Sequence, residues 1–114
     1  MTIDTSVLDS YRDFMEEDAE DFIKEILSEF YTNAHELLKT LAEVPTEATI
    51  ENFVRAAHTL KSTSATVGAT ELSALAASLE ENGKERAFTE IAKQLPALRE
   101  TSMTAEAELK KLYT

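Results

Sequence analysis

The sequence predicts an all-α protein, an up-down-up-down antiparallel four-helix bundle with a short N-terminal capping helix. Only two glycines and two prolines occur in 114 residues, so few positions interrupt regular structure. Apolar residues recur at spacings of three and four, which is the period of an amphipathic helix. Such helices, joined by short connections, pack as antiparallel neighbours around one core. A chain of this length is expected to form a single domain over residues 1–114.

The first two helices are separated by an acidic segment. The first is predicted from about Thr5 to Met15, and the carboxylates of residues 16–21 then open the second, because negative charge is favourable at a helix N-terminus. Pro45 ends this second helix near Val44, since the residue before a proline avoids helical geometry. We expect it to be the longest helix. The predicted apolar stripes are Val7, Leu8, Tyr11 and Met15, then Phe22, Ile26, Phe30, Ala34, Leu37 and Leu41.

The remaining helices are delimited by glycines. The third is predicted from around Glu47 to near Val67, where Gly68 can adopt the left-handed conformation that ends helices. The fourth follows at once and is expected to end at Gly83. The last covers residues 88–113, and Pro96 either kinks it or starts its main portion. The predicted stripes are Ile50, Phe53, Val54, Ala57, Leu60 and Ser64, then Leu72, Leu75, Ala76 and Leu79.

Composition excludes several classes of partner and site. With 11 Lys and Arg against 22 Asp and Glu, the net charge of −11 disfavours nucleic acid and anionic membranes. The chain has no cysteine, so disulfides and thiolate metal sites are excluded. The N-terminal stretch lacks the features of a signal peptide, and no apolar run is long enough to span a bilayer. We therefore expect a soluble, cytoplasmic protein. A single small bundle with one exposed site is expected to be a monomer.

One histidine stands in a segment of small residues. In the run AHTLKSTSATVGA, residues 57–69, nothing large surrounds His58 along the helix. The core stripe of the third helix centres on Ala57, which places His58 on the flank and predicts an exposed imidazole. Lys61 lies one turn further on, and its ammonium is expected to extend toward the ring. This face therefore presents a nucleophile beside a cation.

The same run resembles a known family signature. Residues 58–69 read HTLKSTSATVGA, which is similar to the H-x-L-K-G-S-S-x-x-x-G-A pattern of histidine-containing phosphotransfer (HPt) domains. The chain departs from that pattern at Ser62, where the family has glycine, and at Thr63, where it has the first serine. The resemblance extends over nearly the whole chain through its length, its four-helix pattern and the following Leu72, Leu75, Leu79 and Glu80.

The resemblance implies a phosphorelay intermediate in two-component signalling. His58 would accept a phosphoryl group from an aspartate of one receiver domain and pass it to another. Lys61 would support the phosphoryl charge, with Arg55 as a more remote cation. Glu80, twenty-two positions after the histidine, would hydrogen-bond the ring nitrogen that is not phosphorylated and so orient the ring.

The resemblance also implies what the partner contributes. Ser62 and Ala65 would leave clearance for a receiver domain, either free or in a hybrid sensor kinase, and apolar residues of the capping helix, Leu8 and Tyr11, would add docking contacts. The Mg²⁺ that this chemistry uses would come bound to the receiver, so the chain is expected to hold no cofactor or metal of its own. It would then be a phosphocarrier rather than an enzyme.

The chemistry suits a histidine independently of the resemblance. Phosphoryl transfer needs an in-line nucleophile and cations near the equatorial oxygens. A neutral imidazole attacks through a lone pair with no prior deprotonation.

The sequence also allows alternative functions. The leading alternative is a non-catalytic helical module that binds a receiver or kinase without taking phosphate, and a phosphatase is a further one. His35 is interpreted as solvated surface. A di-iron site would need a glutamate three residues before each histidine, but Arg55 and Thr32 occupy those positions. The HExxH zinc motif is absent, and two glycines are too few for a glycine-rich phosphate-binding loop. Ser62 has no partners for a hydrolase triad.

Overall fold

The structure is a computed structural model that describes residues 2–113, and it confirms the all-α class. Five α-helices follow one another, with a 3₁₀ turn, Glu16–Asp18, between the first two. They are α1 Ser6–Met15, α2 Ala19–Thr40, α3 Ile50–Thr66, α4 Thr70–Lys84 and α5 Phe88–Leu112. Among residues 2–113, no helix combines the length and apolar character that crossing a bilayer requires.

Helices α2 to α5 form the bundle, and α1 covers one end of it. Successive helices pack against each other, and α5 returns to α2 through a His35–Glu106 contact. The bundle is 49 Å long and 23 by 18 Å across. At the covered end, Asp4 N–H donates to the Gly68 carbonyl at 2.7 Å. The N-terminal segment therefore binds the α3–α4 turn, at the opposite end from the start of α3.

The core stripe of α2 differs from the predicted one in its first half. Ile23 and Leu27 are buried, whereas the predicted Phe22 and Ile26 lie half-buried on the flank. The reason is the capping helix, because the Phe22 ring packs edge to face on Tyr11 with centroids 5.1 Å apart. The second half of the stripe, from Phe30 onward, follows the prediction more closely.

Several predicted helix ends are corrected by the structure. Helix α2 ends at Thr40, ahead of Val44, and α3 begins at Ile50 rather than Glu47. The longest described helix is α5, with 25 residues against 22 for α2, so that prediction was wrong. Pro96 neither starts α5 nor interrupts it. Its side chain is exposed, so the carbonyl that loses its helical hydrogen bond can be solvated.

The two glycines have different structural roles. Gly68 has φ +80°, which confirms the left-handed end of α3. Gly83 lies inside α4, which continues to Lys84, so its predicted role as a helix end was wrong. A Cβ there would stand 2.8 Å from Cγ2 of Val54, so Gly83 instead permits the close approach of α3 and α4. The left-handed residue after α4 is Arg86, with φ 55°.

Ser64→Ala is expected to leave stability unchanged or raise it by up to about 1 kcal/mol. The Ser64 hydroxyl is fully buried, and no residue within 2–113 hydrogen-bonds it, so the fold carries the cost of desolvating it. Ser73→Ala is the matched control. Its hydroxyl donates to the Lys61 carbonyl at 2.8 Å, so its loss should cost about 1 kcal/mol. Urea unfolding measures both, and a Ser64→Ala protein as destabilised as Ser73→Ala would contradict the prediction.

Candidate functional site

His58 stands at the middle of α3 with its ring open to solvent. Its side chain is 59% exposed, while the neighbouring Ala57 is fully buried in the core. The exposure predicted from the helical period is therefore confirmed. Ser62 and Ala65, on the next two turns of the same flank, are also exposed. A bulky partner can approach the imidazole from this side.

The second ring nitrogen is held by a glutamate of the adjacent helix. Nδ1 of His58 lies 2.7 Å from Oε2 of Glu80, on α4. An ionised carboxylate only accepts hydrogen bonds, so Nδ1 carries the proton and donates it. In the neutral imidazole, Nε2 is then the nitrogen without a proton. Its lone pair lies on the far side of the ring from Glu80.

Glu80 is buried and surrounded by cationic groups. Lys61 Nζ donates to Oε1 at 2.7 Å, and Lys84 Nζ lies 3.5 Å from Oε2. The hydrogen bond from Lys61 is the largest cause that lowers the pKa of Glu80, and burial raises it. With the hydrogen bond from His58 and the charges of both partners, the pKa falls from its ordinary 4.5 to about 2. Glu80 is therefore ionised at neutral pH and keeps the His58 tautomer in place.

The lysine arrangement differs from the sequence-based expectation. Lys61 was expected to reach toward the imidazole, but its ammonium binds Glu80 instead. Lys84 was not predicted as part of the site. A sequence signal was available, because Lys84 follows Glu80 by four residues, the spacing of a helical ion pair. Both ammonium groups meet at the carboxylate that also holds the histidine.

A cavity of about 520 Å³ opens between α3 and α4 beside the ring. Arg55 lines it one turn before His58, on the side away from the capping helix. The complete lining is Ile50, Glu51, Val54, Arg55, His58, Glu80, Gly83, Lys84 and Arg86.

The capping helix does not present the residues expected for docking. Leu8 is fully buried, so its predicted docking role is corrected to a core role. Tyr11 is half-buried and packs on Phe22. The large apolar side chain that α1 exposes is Phe14, at 81%, and no role was predicted for it. Helical period alone predicts which side of α1 is apolar, and here that side faces the bundle.

His35 is exposed as expected but has a partner. Its Nε2 lies 2.6 Å from Oε1 of Glu106, which also accepts from Lys110 at 3.2 Å. Burial raises the pKa of Glu106, and the hydrogen bonds from His35 and Lys110 outweigh it, so the pKa is lowered overall. The two histidines thus differ in which ring nitrogen contacts a glutamate. The free nitrogen of His58 is Nε2, whereas the free nitrogen of His35 is Nδ1, which lies nearer the backbone.

Glu80→Gln is expected to lower the free energy of unfolding at pH 7 by about 1–2 kcal/mol, because the amide loses the charge that binds Lys61. The folded-state pKa of Glu80 is depressed, so its stabilisation is complete above about pH 4.5 and is lost as the pH falls toward 2. The difference between wild type and variant should shrink by more than half at pH 3. Urea unfolding at both pH values measures it, with the exposed neighbour substitution Glu81→Gln as control. A difference that stayed constant would contradict the assignment.

The chain is similar to known proteins in sequence and in fold. The family model of the Hpt domain matches residues 25–110. The structure of histidine-containing phosphotransfer protein B (HptB) from Pseudomonas aeruginosa PAO1 is similar, with a TM-score of 0.70 at 16% sequence identity, over 98% of this chain and 94% of that chain. No curated protein matches the sequence. At this identity the structural likeness shows the fold, and the family model shows the membership. The chain therefore belongs to the Hpt domain family, with a phosphotransfer role in phosphorelay signalling.

Proposed function

We propose that this chain is a phosphocarrier in which His58 accepts a phosphoryl group from a receiver-domain aspartate and passes it to another receiver domain. The observation that carries the proposal is the state of the ring. Glu80 binds Nδ1 at 2.7 Å, which leaves the lone pair of Nε2 on an exposed imidazole. A nucleophile in this state is ready to attack without first losing a proton.

The transfer step balances without a further reactant. The Nε2 lone pair of His58 attacks phosphorus, a nitrogen–phosphorus bond forms, and the bond to the aspartyl oxygen breaks. The aspartate leaves as a carboxylate with the bonding electron pair. The ring gains positive charge while the Nδ1 proton stays in its hydrogen bond, and the adjacent Glu80 carboxylate stabilises that charge. Transfer to the second receiver reverses the step.

The cations of the site suit the phosphoryl group. Lys61 and Lys84 are bound to Glu80 in this structure, and a phosphoryl group on Nε2 would offer their ammonium groups a second, doubly charged acceptor. Arg55 lies one turn before His58. Ser62 and Ala65 leave room beside the ring.

The catalytic metal belongs to the partner in this proposal. A receiver domain, free or part of a hybrid sensor kinase, supplies Mg²⁺ and the aspartate, while this chain, a cytoplasmic monomer, supplies the nucleophile. Chelation with EDTA should therefore stop transfer without changing the circular dichroism of this chain.

The direct test uses purified receiver domains charged with radiolabelled phosphate. Incubation with wild type should move label onto this chain, and that label should be stable in base and lost in acid, as a phosphoramidate is. A chain that binds a charged receiver but takes no label would overturn the proposal in favour of a binding module. Rapid release of free phosphate with no labelled intermediate would indicate a phosphatase instead.

A further inference from the structure

The cations of this acidic chain are concentrated around one cavity. Arg55, Lys84 and Arg86 line the 520 Å³ cavity between α3 and α4, and Lys61 binds Glu80 on its wall. These are four of the eleven lysines and arginines in a chain of net charge −11. Against these cations the lining holds two carboxylates, Glu51 and Glu80, so an acidic partner meets less negative charge here than over the chain as a whole.

The residues of the cavity are arranged with an apolar floor and a charged rim. Ile50 and Gly83 are buried, and Val54 is half-buried between them. Arg55 and Lys84 stand exposed on opposite helices. An apolar side chain can occupy the floor while carboxylates around it meet the cations.

A small phosphorylated metabolite fits this cavity less well. The carboxylates of Glu51 and Glu80 are part of the lining, so an anion that entered fully would meet them. Arg86 is already bound to Glu47 at 2.9 Å. Among residues 2–113, Arg55 is the cation of the lining that makes no ion pair, and it stands exposed at the rim, where a protein surface would lie.

The cavity lies on the side of His58 away from the capping helix. The α3–α4 turn that holds the N-terminal segment is at Gly68, ten residues after His58, or about 15 Å along the helix. The cavity extends the other way, to Ile50 at the first turn of α3. A partner centred on this cavity can contact the exposed ring of His58 without touching α1.

We propose that the α3–α4 cavity is the docking surface for the receiver domain, which inserts an apolar side chain between acidic residues placed beside its phosphorylated aspartate. This inference rests on the proposed function and refines it. It moves the docking surface from the capping helix to Val54, Arg55, Lys84 and Arg86. Rim charges of this kind act mainly on the rate of association and its dependence on salt.

The electrostatic arm of the test is a pair of charge reversals. Arg55→Glu and Arg99→Glu change the net charge equally, but Arg99 is exposed beside Met103 on the α2–α5 side of the bundle. The probe is the phosphorylated receiver domain that transfers label fastest to the wild-type protein. Arg55→Glu should slow transfer about tenfold at low ionic strength, and the loss should shrink at 0.5 M salt. Arg99→Glu should change the rate less than about twofold.

The steric arm uses the exposed rim residue Glu51. Glu51→Trp should fill the cavity and slow transfer about tenfold at any salt concentration. Glu51→Gln removes a negative charge from the lining and should instead speed transfer at low ionic strength. Thermal unfolding of each variant shows that the fold is intact.

The outcomes separate the two proposals. Equal rates for Arg55→Glu and Arg99→Glu, with equal rates for both Glu51 variants, overturn the docking surface and leave the phosphocarrier intact. If the wild-type protein takes no label, the phosphocarrier proposal is overturned. The docking surface is then tested by the affinity of the same variants for the receiver, measured by calorimetry. Weaker binding by Arg55→Glu and Glu51→Trp then supports the cavity, and a receiver that does not bind wild type overturns it.

Discussion

His58→Gln is expected to abolish the acid-labile label completely, while His35→Gln should keep it at the wild-type level. Glutamine has no ring nitrogen whose lone pair could bond to phosphorus. Its amide occupies the space of the imidazole and can still contact Glu80. His35 has equal exposure of 59% but is bound to Glu106 through Nε2. Autoradiography of both variants after incubation with a charged receiver measures the effect.

The matched histidine makes this comparison informative. Both residues are exposed and both contact a glutamate, so loss of label in His58→Gln alone assigns the reaction to His58 and shows that exposure beside a glutamate is not sufficient. Nitrogen NMR of the ring should show the proton on Nδ1 of His58, and Glu80→Gln should disturb that signal. Label retained by His58→Gln and lost from His35→Gln would place the reaction between α2 and α5 instead.

Gly68→Ala is expected to destabilise the fold by about 2 kcal/mol or more. The residue has φ +80°, which costs an alanine about 1–2 kcal/mol, and its Cβ would overlap the Asp4 carbonyl oxygen. Relief of that overlap would move the N-terminal segment away from the α3–α4 turn and weaken the hydrogen bond from Asp4 N–H to Gly68, which is 2.7 Å long. Urea unfolding at pH 7 measures the change.

A second substitution separates the two causes. Asparagine tolerates the left-handed region better than alanine does, but it carries the same Cβ. If the overlap with Asp4 dominates, Gly68→Asn should be as unstable as Gly68→Ala, and if backbone strain dominates it should be milder. An alanine variant of wild-type stability would show that the N-terminal segment is not held at Gly68.

The role of a residue can be predicted from the sequence only when that role is set by neighbours close to it in the chain. Gly68 was predicted correctly because the left-handed residue at a helix end is a local requirement. Gly83 was interpreted by the same rule, yet its role is set by Val54 on another helix, 29 positions earlier in the chain. The apolar stripe of α1 was also found from its period, but only packing of that helix shows that Leu8 is covered and Phe14 is not.

The sequence by itself determined the helices, the exposed flank that bears His58 and, through the pattern of residues 58–69, the resemblance to the phosphotransfer family. These properties follow from neighbours within four residues on one helix, so a linear pattern contains them. Only the tertiary structure decided that Lys61 and Lys84 meet at Glu80, which ring nitrogen is free, and that a cavity with a cationic rim opens beside it. Those contacts depend on how closely α3 and α4 pack, and that separation is decided by side chains far apart in the chain.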